Sequence, residues 1–335
     1  MTLYLHGLGH FHPENEITNH FLEELDIGTS DEWIMERVGI HSRRTMLPLD
    51  YIRETRNRDP RAALEAADYS NAEIGRRAAL MALGRAGLSP ADIGMVIAGC
   101  SASDTSSPAE ACNIANALGL EVPAFDLNSA CTSFFAELYL LSLMRPEALP
   151  PYVLIVTPEG LTRTVDYNDR SSAVLWGDAA TAAVISTTRP GRARILGSRL
   201  SSSPAGADKV VVPRLGHFAQ EGRTVQKFAI GKTCDLLQAL RSELEESDRH
   251  FHFVGHQANV RVLETVCRRC EVPPERHHFN ADWYGNTGAA SAASVISMNW
   301  EKWTGRDDIA VVGVGSGLTW SGFLLRFDAE ERETS

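Results

Sequence analysis

The order of hydrophobic and polar residues along the chain predicts an α/β protein. Thr29 with Glu32, and again Ser70 with Glu73, have the spacing of a capping box at a helix start. The apolar stretch behind Ser70 ends at Gly87, a natural helix C-cap. Short uninterrupted apolar runs are typical of buried strands, and such runs occupy residues 94–99, 124–128, 151–157 and 181–186. Helices are predicted between these strands at residues 108–118 and 131–144.

The second half of the chain repeats this order of elements without repeating the residues. Helices are predicted at residues 231–245, 257–270 and 286–299, and strands at residues 252–255, 308–314 and 322–327. The helices that begin at residues 131 and 286 are about 155 positions apart, and the matching strands have nearly the same offset. A repeated α/β unit predicts two similar halves that pack together with helices between their sheets.

Two regions interrupt the repeat. Residues 47–69 are strongly charged, and we expect them to form a surface excursion. Residues 187–224 are rich in Ser, Pro, Gly and Arg, which is typical of a linker. The expected organisation is therefore an N-terminal half at residues 1–186, a linker at 187–224 and a C-terminal half at 225–335.

Composition and charge narrow the class of protein. The 335 residues are 44% hydrophobic and 22% charged, which excludes a disordered chain, a collagen-like chain and a small disulfide scaffold. The net charge of −11 argues against a nucleic-acid partner. Every long uncharged stretch falls short of the roughly 20 apolar residues of a membrane span, and the N-terminus lacks the pattern of a signal peptide. We expect a cytoplasmic enzyme with reduced thiols and no membrane partner.

One of the six cysteines is placed for chemistry. Cys131 follows a predicted strand and a short turn and opens an apolar helix. The N-terminus of a helix favours a thiolate and offers free N–H groups to an oxyanion, although most cysteines at such places are structural. We expect the other five to be structural. Cys267 and Cys270 form a CxxC without a second ligand pair, so no metal site is expected there. His250 and His252, and the pair at 277–278, are expected not to be ligands.

Three more motifs have ordinary explanations when each is taken alone. They are HQANVRV at residues 256–262, YGNTGAASAAS at 284–294 and GVGSGLTW at 313–320. A histidine after a strand is usually a satisfied core or surface group, and GNTG is usually a turn. The glycine-rich run leads into a strand and not into a helix, so it is not a dinucleotide-binding loop.

Together these motifs resemble the β-ketoacyl-acyl carrier protein synthase III family of the thiolase superfamily. The resemblance covers nearly the whole chain. The matching stretches are residues 29–43, DLNSAC at 126–131, residues 168–184, HQAN at 256–259, GNTGAAS at 285–291 and GSGLTWSG at 315–322. The resemblance implies a thiolase-like, five-layered αβαβα fold of two pseudo-symmetric halves, a homodimer, and an enzyme of the acyltransferase class.

The resemblance also implies a reaction. Cys131 matches the nucleophile that accepts an acyl group from an acyl thioester. His256 and Asn286 match the pair that assists decarboxylative condensation with a malonyl-type carrier-protein thioester. The N–H groups of Cys131 and Ser316 would form the oxyanion hole. An acyltransferase or thioester hydrolase without decarboxylation, and a non-catalytic partner subunit, are the alternatives. Because the cysteine, histidine and asparagine are all present, condensation is favoured.

Substrate contacts follow from the same resemblance. Coenzyme A binding is implied for Trp33, Arg37, Arg170 and Asn259, and docking of acyl carrier protein for Arg261, Arg268 and Arg269. Ser107 lies where many family members carry a bulky aromatic residue that closes the acyl pocket from across the dimer interface, so a longer or branched acyl chain is expected. No permanently bound cofactor is expected, since acyl-CoA and malonyl-acyl carrier protein are substrates. A specialised pathway, for example for a polyketide, is open beside fatty-acid synthesis.

Overall fold

The computed structural model describes residues 2–214, 216–244 and 248–328. The strands are β1 (Leu3–Phe11), β2 (Asn15–Thr18), β3 (Ser42–Thr45), β4 (Met95–Ala98), β5 (Ala124–Asp126), β6 (Val153–Glu159), β7 (Ala179–Ser186), β8 (Ala193–Ser202), β9 (Val210–Val211), β10 (Ala219–Gln220), β11 (His250–Gly255), β12 (Asp307–Gly315) and β13 (Thr319–Phe327). The helices are α1 (Asn19–Glu24), α2 (Asp31–Arg37), α3 (Leu49–Thr55), α4 (Ala62–Ala66), α5 (Asn71–Ala86), α6 (Glu110–Ala117), α7 (Ser133–Leu143), α8 (Arg170–Ala173), α9 (Gly222–Ser242), α10 (Val260–Arg269), α11 (Ala281–Tyr284) and α12 (Ser291–Met298).

The main sheet is built from two halves with the same strand pattern. Within the described residues it has nine strands in the order β11-β12-β13-β8-β1-β7-β6-β4-β5. Moving outward from β1, the next strands pair antiparallel, antiparallel, parallel and parallel. Moving outward from β8, they pair antiparallel, antiparallel and parallel. The halves meet where β1 pairs antiparallel with β8, and the predicted repeat of element order is present in the structure.

Among the described residues, the C-terminal half has one full strand fewer than the N-terminal half. β5 forms the outer edge of the N-terminal half and pairs with β4 through three residues. At the equivalent place beside β11, the ladder is reduced to a single parallel bridge between Phe253 and His277. The repeat is therefore one of architecture, and its two outer edges differ.

Helices form three layers around the two half-sheets. α7 and α12 lie between the half-sheets, where Phe134, Phe135 and Val295 are buried in one core with side chains of both. α5 and α6 cover the outer face of the N-terminal half, and α9 and α10 cover the outer face of the C-terminal half. A helix that is apolar on all sides is a core helix, and α7 has this composition. The expected αβαβα layering is confirmed.

Local sequence signals predict both ends of α5 correctly, and they place the start of α2 one residue too early. Ser70 caps α5 by accepting a hydrogen bond from the Glu73 N–H, and Gly87 ends that helix in the left-handed conformation. The cap of α2 is Ser30, which accepts from the Trp33 N–H, so the predicted capping box of Thr29 and Glu32 is wrong by one residue. Serine and threonine are adjacent here, and the one with extended backbone directly before the helix becomes the cap.

The two irregular regions are more ordered than their composition suggests. Residues 193–202, inside the expected linker, form β8 in the centre of the sheet, and the linker's last residues already belong to α9. The predicted surface excursion contains α3 and α4, and Ile52 and Ala63 are fully buried. Its Asn57 side chain donates to two main-chain carbonyls of the segment that follows β6, each at 2.8 Å. Among the helices that the structure describes, none has the length and hydropathy to cross a membrane.

Candidate active site

Cys131 lies in a tight turn between β5 and α7. The turn is a 3-10 segment, Ala130–Thr132, so the α-helix itself begins two residues after the cysteine. Ala130 has a φ of +48°, which is uncommon for a residue with a Cβ atom. The Ala130 N–H donates to Asn128 Oδ1 at 2.8 Å, and the Ser129 N–H donates to Ser133 Oγ at 2.9 Å. These bonds hold the strained turn, and strain of this kind concentrates at functional sites.

The Cys131 sulfur is held as a thiol. Burial raises the pKa of the Cys131 thiol to about 12, and the negative charge of Glu159 adds to the rise. The positive end of α7 acts in the opposite direction. Burial and the helix end therefore act in opposite directions on the thiolate that the position of Cys131 favours.

His256 is fixed with one ring nitrogen occupied. It follows β11, and its backbone N–H donates to the Val312 carbonyl at 2.8 Å. Its Nδ1 lies 2.8 Å from Ser291 Oγ, which also accepts a long hydrogen bond from the Gln257 N–H at 3.4 Å. A serine hydroxyl has one proton and two lone pairs, so this contact fits either tautomer of the ring. In the tautomer in which Ser291 donates to Nδ1, the histidine proton resides on Nε2. Burial lowers the pKa of His256 to about 4, so the ring is neutral.

Asn286, like His256, is held by hydrogen bonds to its backbone and to one side-chain atom. Gly285 before it has a φ of +68°, and a Cβ there would lie 2.7 Å from the Leu175 carbonyl oxygen, so only glycine fits. The Asn286 N–H donates to the Leu175 carbonyl at 2.8 Å. Its side-chain Oδ1 accepts from the Gly288 N–H at 3.0 Å, which leaves the amide NH2 group as the free end.

The predicted catalytic residues meet in one cavity. Cys131, His256 and Asn286 together line a cavity of about 70 Å³, and Ser316 lies in its wall. A Cβ on Gly315 would lie 3.3 Å from the Cys131 nitrogen, so the two loops are in close contact. Thr319 donates to the Ser316 carbonyl at 3.0 Å and contacts Thr132 across the two halves at 2.9 Å. The loops that carry the two predicted oxyanion-hole N–H groups are thus tied together.

A second cavity also reaches Cys131 and shares Trp176, Val210 and Ser316 with the first. Its volume is about 230 Å³, and its apolar lining consists of Leu161, Trp176, Val210, Val212 and Phe218. Ser316 Oγ donates to the Val210 carbonyl, and the Trp176 ring packs edge-on against Phe218 with centroids 4.6 Å apart. The sequence interpretation missed these residues. The valine run at 210–212 was the one available signal, and it lies inside the expected linker.

Ser107 does not line either cavity of its own chain. Its side chain is exposed, directly before the cis Ser107–Pro108 peptide bond. Its expected role in the acyl pocket stays a prediction.

Glu159 is a buried carboxylate that joins two segments near the cavities. The carboxylate accepts hydrogen bonds from the Ser101 N–H at 3.0 Å, the Ser101 hydroxyl at 2.9 Å and the Ala289 N–H at 3.0 Å. Ser101 lines the larger cavity, and Ala289 belongs to the turn that follows Asn286. Burial raises the pKa of Glu159 to about 7, while the three hydrogen bonds oppose the rise. No local sequence signal marks this residue, because its donors come from two distant segments.

The predicted coenzyme A residues are partly brought together. The guanidinium groups of Arg37 and Arg170 lie 4.5 Å and 5.0 Å from the Trp33 ring centroid. Arg170 also donates to the Gly28 carbonyl at 2.8 Å. Asn259 has a structural task, because its side chain caps α10 by accepting from the Val262 N–H at 2.9 Å.

The predicted docking arginines differ in their ion pairing and exposure. Arg261 forms an ion pair with Glu264 at 3.0 Å and donates to the Met35 carbonyl at 2.7 Å. Arg268 and Arg269 are exposed at the end of α10. The sequence interpretation missed a basic face of α9, whose cationic side chains line an open groove: Arg223, Lys227 and Lys232. Phe228 lines both this groove and the Cys131 cavity.

Comparison with known proteins decides the family. Two family models match, 3-oxoacyl-[acyl-carrier-protein (ACP)] synthase III over residues 125–204 and its C-terminal part over residues 241–327. The β-ketoacyl-[acyl-carrier-protein] synthase III of Fusobacterium nucleatum is 31% identical over 343 residues, which cover 96% of this chain and 97% of that protein. The chain belongs to the β-ketoacyl-[acyl-carrier-protein] synthase III family.

Solved structures agree with this membership. The 3-oxoacyl-[acyl-carrier-protein] synthase III of Aquifex aeolicus has a TM-score of 0.84 at 28% identity, covering 97% of this chain and 100% of that one. The priming β-ketosynthase of the R1128 polyketide pathway has a TM-score of 0.82 at 26% identity, covering 98% of this chain and 96% of that one. The expected fold, the acyltransferase class and the ketosynthase function of this ketosynthase III family member are confirmed.

Proposed function

We propose that this ketosynthase III family member forms an acyl intermediate on Cys131 and condenses it with a malonyl-type thioester of acyl carrier protein. The roles of His256 and Asn286 are assigned from their geometry in the cavity. His256 and Asn286 share a cavity with the Cys131 thiol, and Asn286 Oδ1 accepts from the Gly288 N–H. We assign the Ser291 hydroxyl as the donor to His256 Nδ1, 2.8 Å away. Both residues therefore offer N–H groups to the cavity and carry no charge, which suits the stabilisation of a developing oxyanion.

The first half-reaction loads the enzyme. The Cys131 sulfur attacks the carbonyl carbon of an acyl thioester, and the oxygen's charge is held by the N–H groups of Cys131 and Ser316. When the tetrahedral intermediate collapses, the bond to the donor sulfur breaks, and the departing thiolate takes up the proton that Cys131 releases. The products are an acyl thioester on Cys131 and a free donor thiol.

The second half-reaction forms the carbon–carbon bond. The malonyl thioester loses carbon dioxide, and the electron pair of the broken bond becomes an enolate. The enolate oxygen would lie between the N–H groups of His256 and Asn286. The enolate carbon attacks the acyl carbonyl on Cys131, and the carbon–sulfur bond breaks to release the β-ketoacyl product. Cys131 leaves as a thiolate and takes up a proton from solvent, which restores the thiol. Loss of one such donor typically costs about 10²–10³ in rate.

The substrate contacts follow from the same geometry. The acyl chain would occupy the cavity of about 230 Å³ beside Cys131, where Leu161, Val212 and Phe218 offer apolar contacts. The Trp33 ring between Arg37 and Arg170 suits a nucleotide, because aromatic faces stack on bases and guanidinium groups bind phosphates. The net charge of −11 opposes an acidic carrier protein, so docking must use a local basic surface. Arg268, Arg269 and the α9 groove with Lys227 form that surface.

We propose a homodimer that forms through the edge strand β5. The outer side of β5 has no neighbouring strand in the described chain, and Phe125 on it is 36% exposed. An open edge of this kind is suited to pair with a second copy. We propose no permanently bound cofactor for the reaction, because the acyl and malonyl thioesters supply all reacting atoms.

Intact-protein mass spectrometry tests the loading step. Wild-type protein mixed with acyl-CoA should gain the mass of one acyl group, and Cys131→Ala should not. Cys112→Ala, which removes an exposed thiol, is the matched control and should load normally. Loading of Cys131→Ala, or no loading of wild type with any chain from acetyl to dodecanoyl, contradicts the proposal.

Carbon dioxide release separates condensation from simple acyl transfer. Addition of malonyl-acyl carrier protein to acylated wild type should release carbon dioxide and yield a β-ketoacyl product. His256→Ala should still load on Cys131 but lose this step by about 10²–10³. An acylated enzyme that transfers its acyl group or hydrolyses it without releasing carbon dioxide would instead be an acyltransferase or hydrolase.

A further inference from the structure

Two histidines and an aspartate lie together at the end of the C-terminal half-sheet that is remote from Cys131. β11 begins with His250 and β12 begins with Asp307, and these two residues are partners in the parallel ladder. His252 lies two residues further along β11, on the same face as His250. His256 follows the opposite end of β11, so the length of the strand separates this cluster from the active site.

The three side chains have the spacing of metal ligands. Asp307 Oδ1 lies 3.2 Å from His250 Nδ1 and 3.1 Å from His252 Nε2. The three atoms all lie within 4.8 Å of one another. Nitrogen and oxygen ligands about 2.0–2.2 Å from a tetrahedral zinc ion are about 3.3 Å apart. Two of the three separations match this spacing, and the third, between the two histidine nitrogens, is at most 4.8 Å.

The surrounding groups hold two of the ligands in place. Asp307 Oδ2 accepts from the Thr304 N–H at 2.7 Å and from the Thr304 hydroxyl at 2.9 Å, which directs Oδ1 at the histidines. His252 Nδ1 forms a 2.9 Å hydrogen bond with His278 Nε2. A metal-binding histidine normally has its second nitrogen engaged in this way. The His250 side chain is 46% exposed and gives an ion access from solvent.

We propose that His250, His252 and Asp307 bind one divalent cation of the zinc class, with a fourth position open to water. Imidazole nitrogens favour zinc, nickel or copper over magnesium and calcium, which prefer oxygen ligands. The ion would join the edge strand β11 to β12. This site lies outside the proposed reaction, and its failure would leave the assignment of Cys131, His256 and Asn286 untouched.

Arg276 allows a metal site to be distinguished from a cluster that is held by hydrogen bonds alone. Its Nη1 lies 3.2 Å from His252 Nε2, where it competes with a cation for the same lone pair. Binding of the ion requires this guanidinium to move away. Arg276→Ala removes the competing charge, so this variant should bind the ion more tightly than wild type.

Zinc binding by the full chain tests the proposal. Protein stripped with a chelator is titrated with Zn²⁺ in competition with a chromogenic chelator, and its thermal unfolding is followed with and without Zn²⁺. Wild type should bind one ion per chain through this cluster and gain thermal stability. His250→Ala should weaken binding by roughly tenfold or more. His6→Ala, which removes a histidine bonded to the Arg189 carbonyl, is the matched control and should bind as wild type.

Cobalt spectroscopy distinguishes this cluster from the thiols. Co²⁺ at nitrogen and oxygen ligands gives ligand-field bands without the near-ultraviolet charge-transfer band of a cobalt thiolate. A thiolate band, or binding that is equal in wild type, His250→Ala and Asp307→Asn, would overturn the proposal. So would weaker binding in Arg276→Ala. Acyl loading on Cys131 should be the same in wild type and His250→Ala, which verifies that the variant is folded.

Discussion

At the scale of single residues, the reactive centre depends on which polar atoms are already occupied. Asn286 Oδ1 is taken by the Gly288 N–H, and His256 Nδ1 is taken by Ser291. What remains on each side chain is a donor. A carboxylate or a charged imidazole at either place would bring the wrong charge to an enolate, so the neutrality of both groups matters as much as their position.

Ser291→Ala tests whether the histidine tautomer is set by this serine. Without the hydroxyl, His256 is free to carry its proton on Nδ1 and present an acceptor to the cavity. We expect carbon dioxide release from malonyl-acyl carrier protein to fall by roughly tenfold or more, with acyl loading unchanged. Ser297→Ala is the matched control, because Ser297 is bonded to His10. Equal losses in both variants would mean that Ser291 only supports packing.

Glu159→Gln tests the buried carboxyl through pH dependence. The pKa of Glu159 is raised from 4.5 to about 7 in the folded chain. Between these values the folded state holds a proton that the unfolded state has lost, so the contribution of Glu159 to stability falls as pH rises. The slope for one such group is at most about 1.4 kcal/mol per pH unit.

Urea unfolding across that pH window measures the effect. The free energy of unfolding of wild type, relative to Glu159→Gln, should decline from pH 4.5 to about 7 and then level off. Parallel curves for the two proteins over the whole window would show that this carboxyl does not titrate there.

At the scale of elements, local patterns predicted what local forces determine. The uniformly apolar α7 and the caps of α5 could be read from the sequence because each depends on neighbouring residues alone. β8 could not be predicted, because Gly197 and several polar residues interrupt the alternation of apolar and polar residues. The strand also depends on β1 and β13 for its hydrogen-bonding partners. The same holds for the wall of the larger cavity, to which Val210, Val212 and Phe218 contribute only after they have folded against Trp176.

The site was predicted to the same extent and for the same reason. Cys131, His256 and Asn286 each follow a strand or a short turn, and motifs at element ends are visible in sequence. Glu159 is the last residue of an apolar strand, and only the folded chain brings Ser101 and Ala289 to it. The zinc-class cluster needs two strands in register and was not expected from the spacing of its histidines.

Phe218→Leu tests whether the segment before α9 sets the acyl chain length. Phe218 is 7% exposed and closes the larger cavity together with Trp176. A smaller side chain enlarges that space, so loading of Cys131 across a panel of acyl-CoA substrates should shift towards longer chains. Phe279→Leu, at an aromatic residue that is 40% exposed and lines neither cavity, is the control and should keep the wild-type profile. An unchanged profile in Phe218→Leu would place the acyl chain elsewhere.

At the scale of the whole molecule, the two halves place their functional turns at equivalent positions around one centre. Cys131 comes before α7 in the N-terminal half, and Asn286 comes before α12 in the C-terminal half. The two helices are the buried middle layer, so the turns at their N-terminal ends face each other. The active site is thus a product of the duplication, and neither half contains it alone.

The exposed Ser107 would contribute to an acyl pocket through a second copy of the chain. Because Ser107 lines neither cavity of its own chain, it can influence the acyl pocket only if another chain brings it there. In the proposed homodimer through β5, Ser107→Phe should narrow the pocket of the neighbouring chain and shift loading of Cys131 towards short acyl chains. Ser106→Phe, one residue earlier and also exposed, is the control for added bulk.

Two measurements together decide this prediction. Analytical ultracentrifugation gives the mass in solution, and intact-protein mass spectrometry gives the loading profile over the acyl-CoA panel. A dimer whose preference moves to short chains in Ser107→Phe and not in Ser106→Phe supports a pocket completed across the interface. A monomer with a shifted profile would mean that Ser107 acts within its own chain. A dimer with an unchanged profile would mean that the pocket belongs to one chain, because bulk at the interface then never reaches the acyl group.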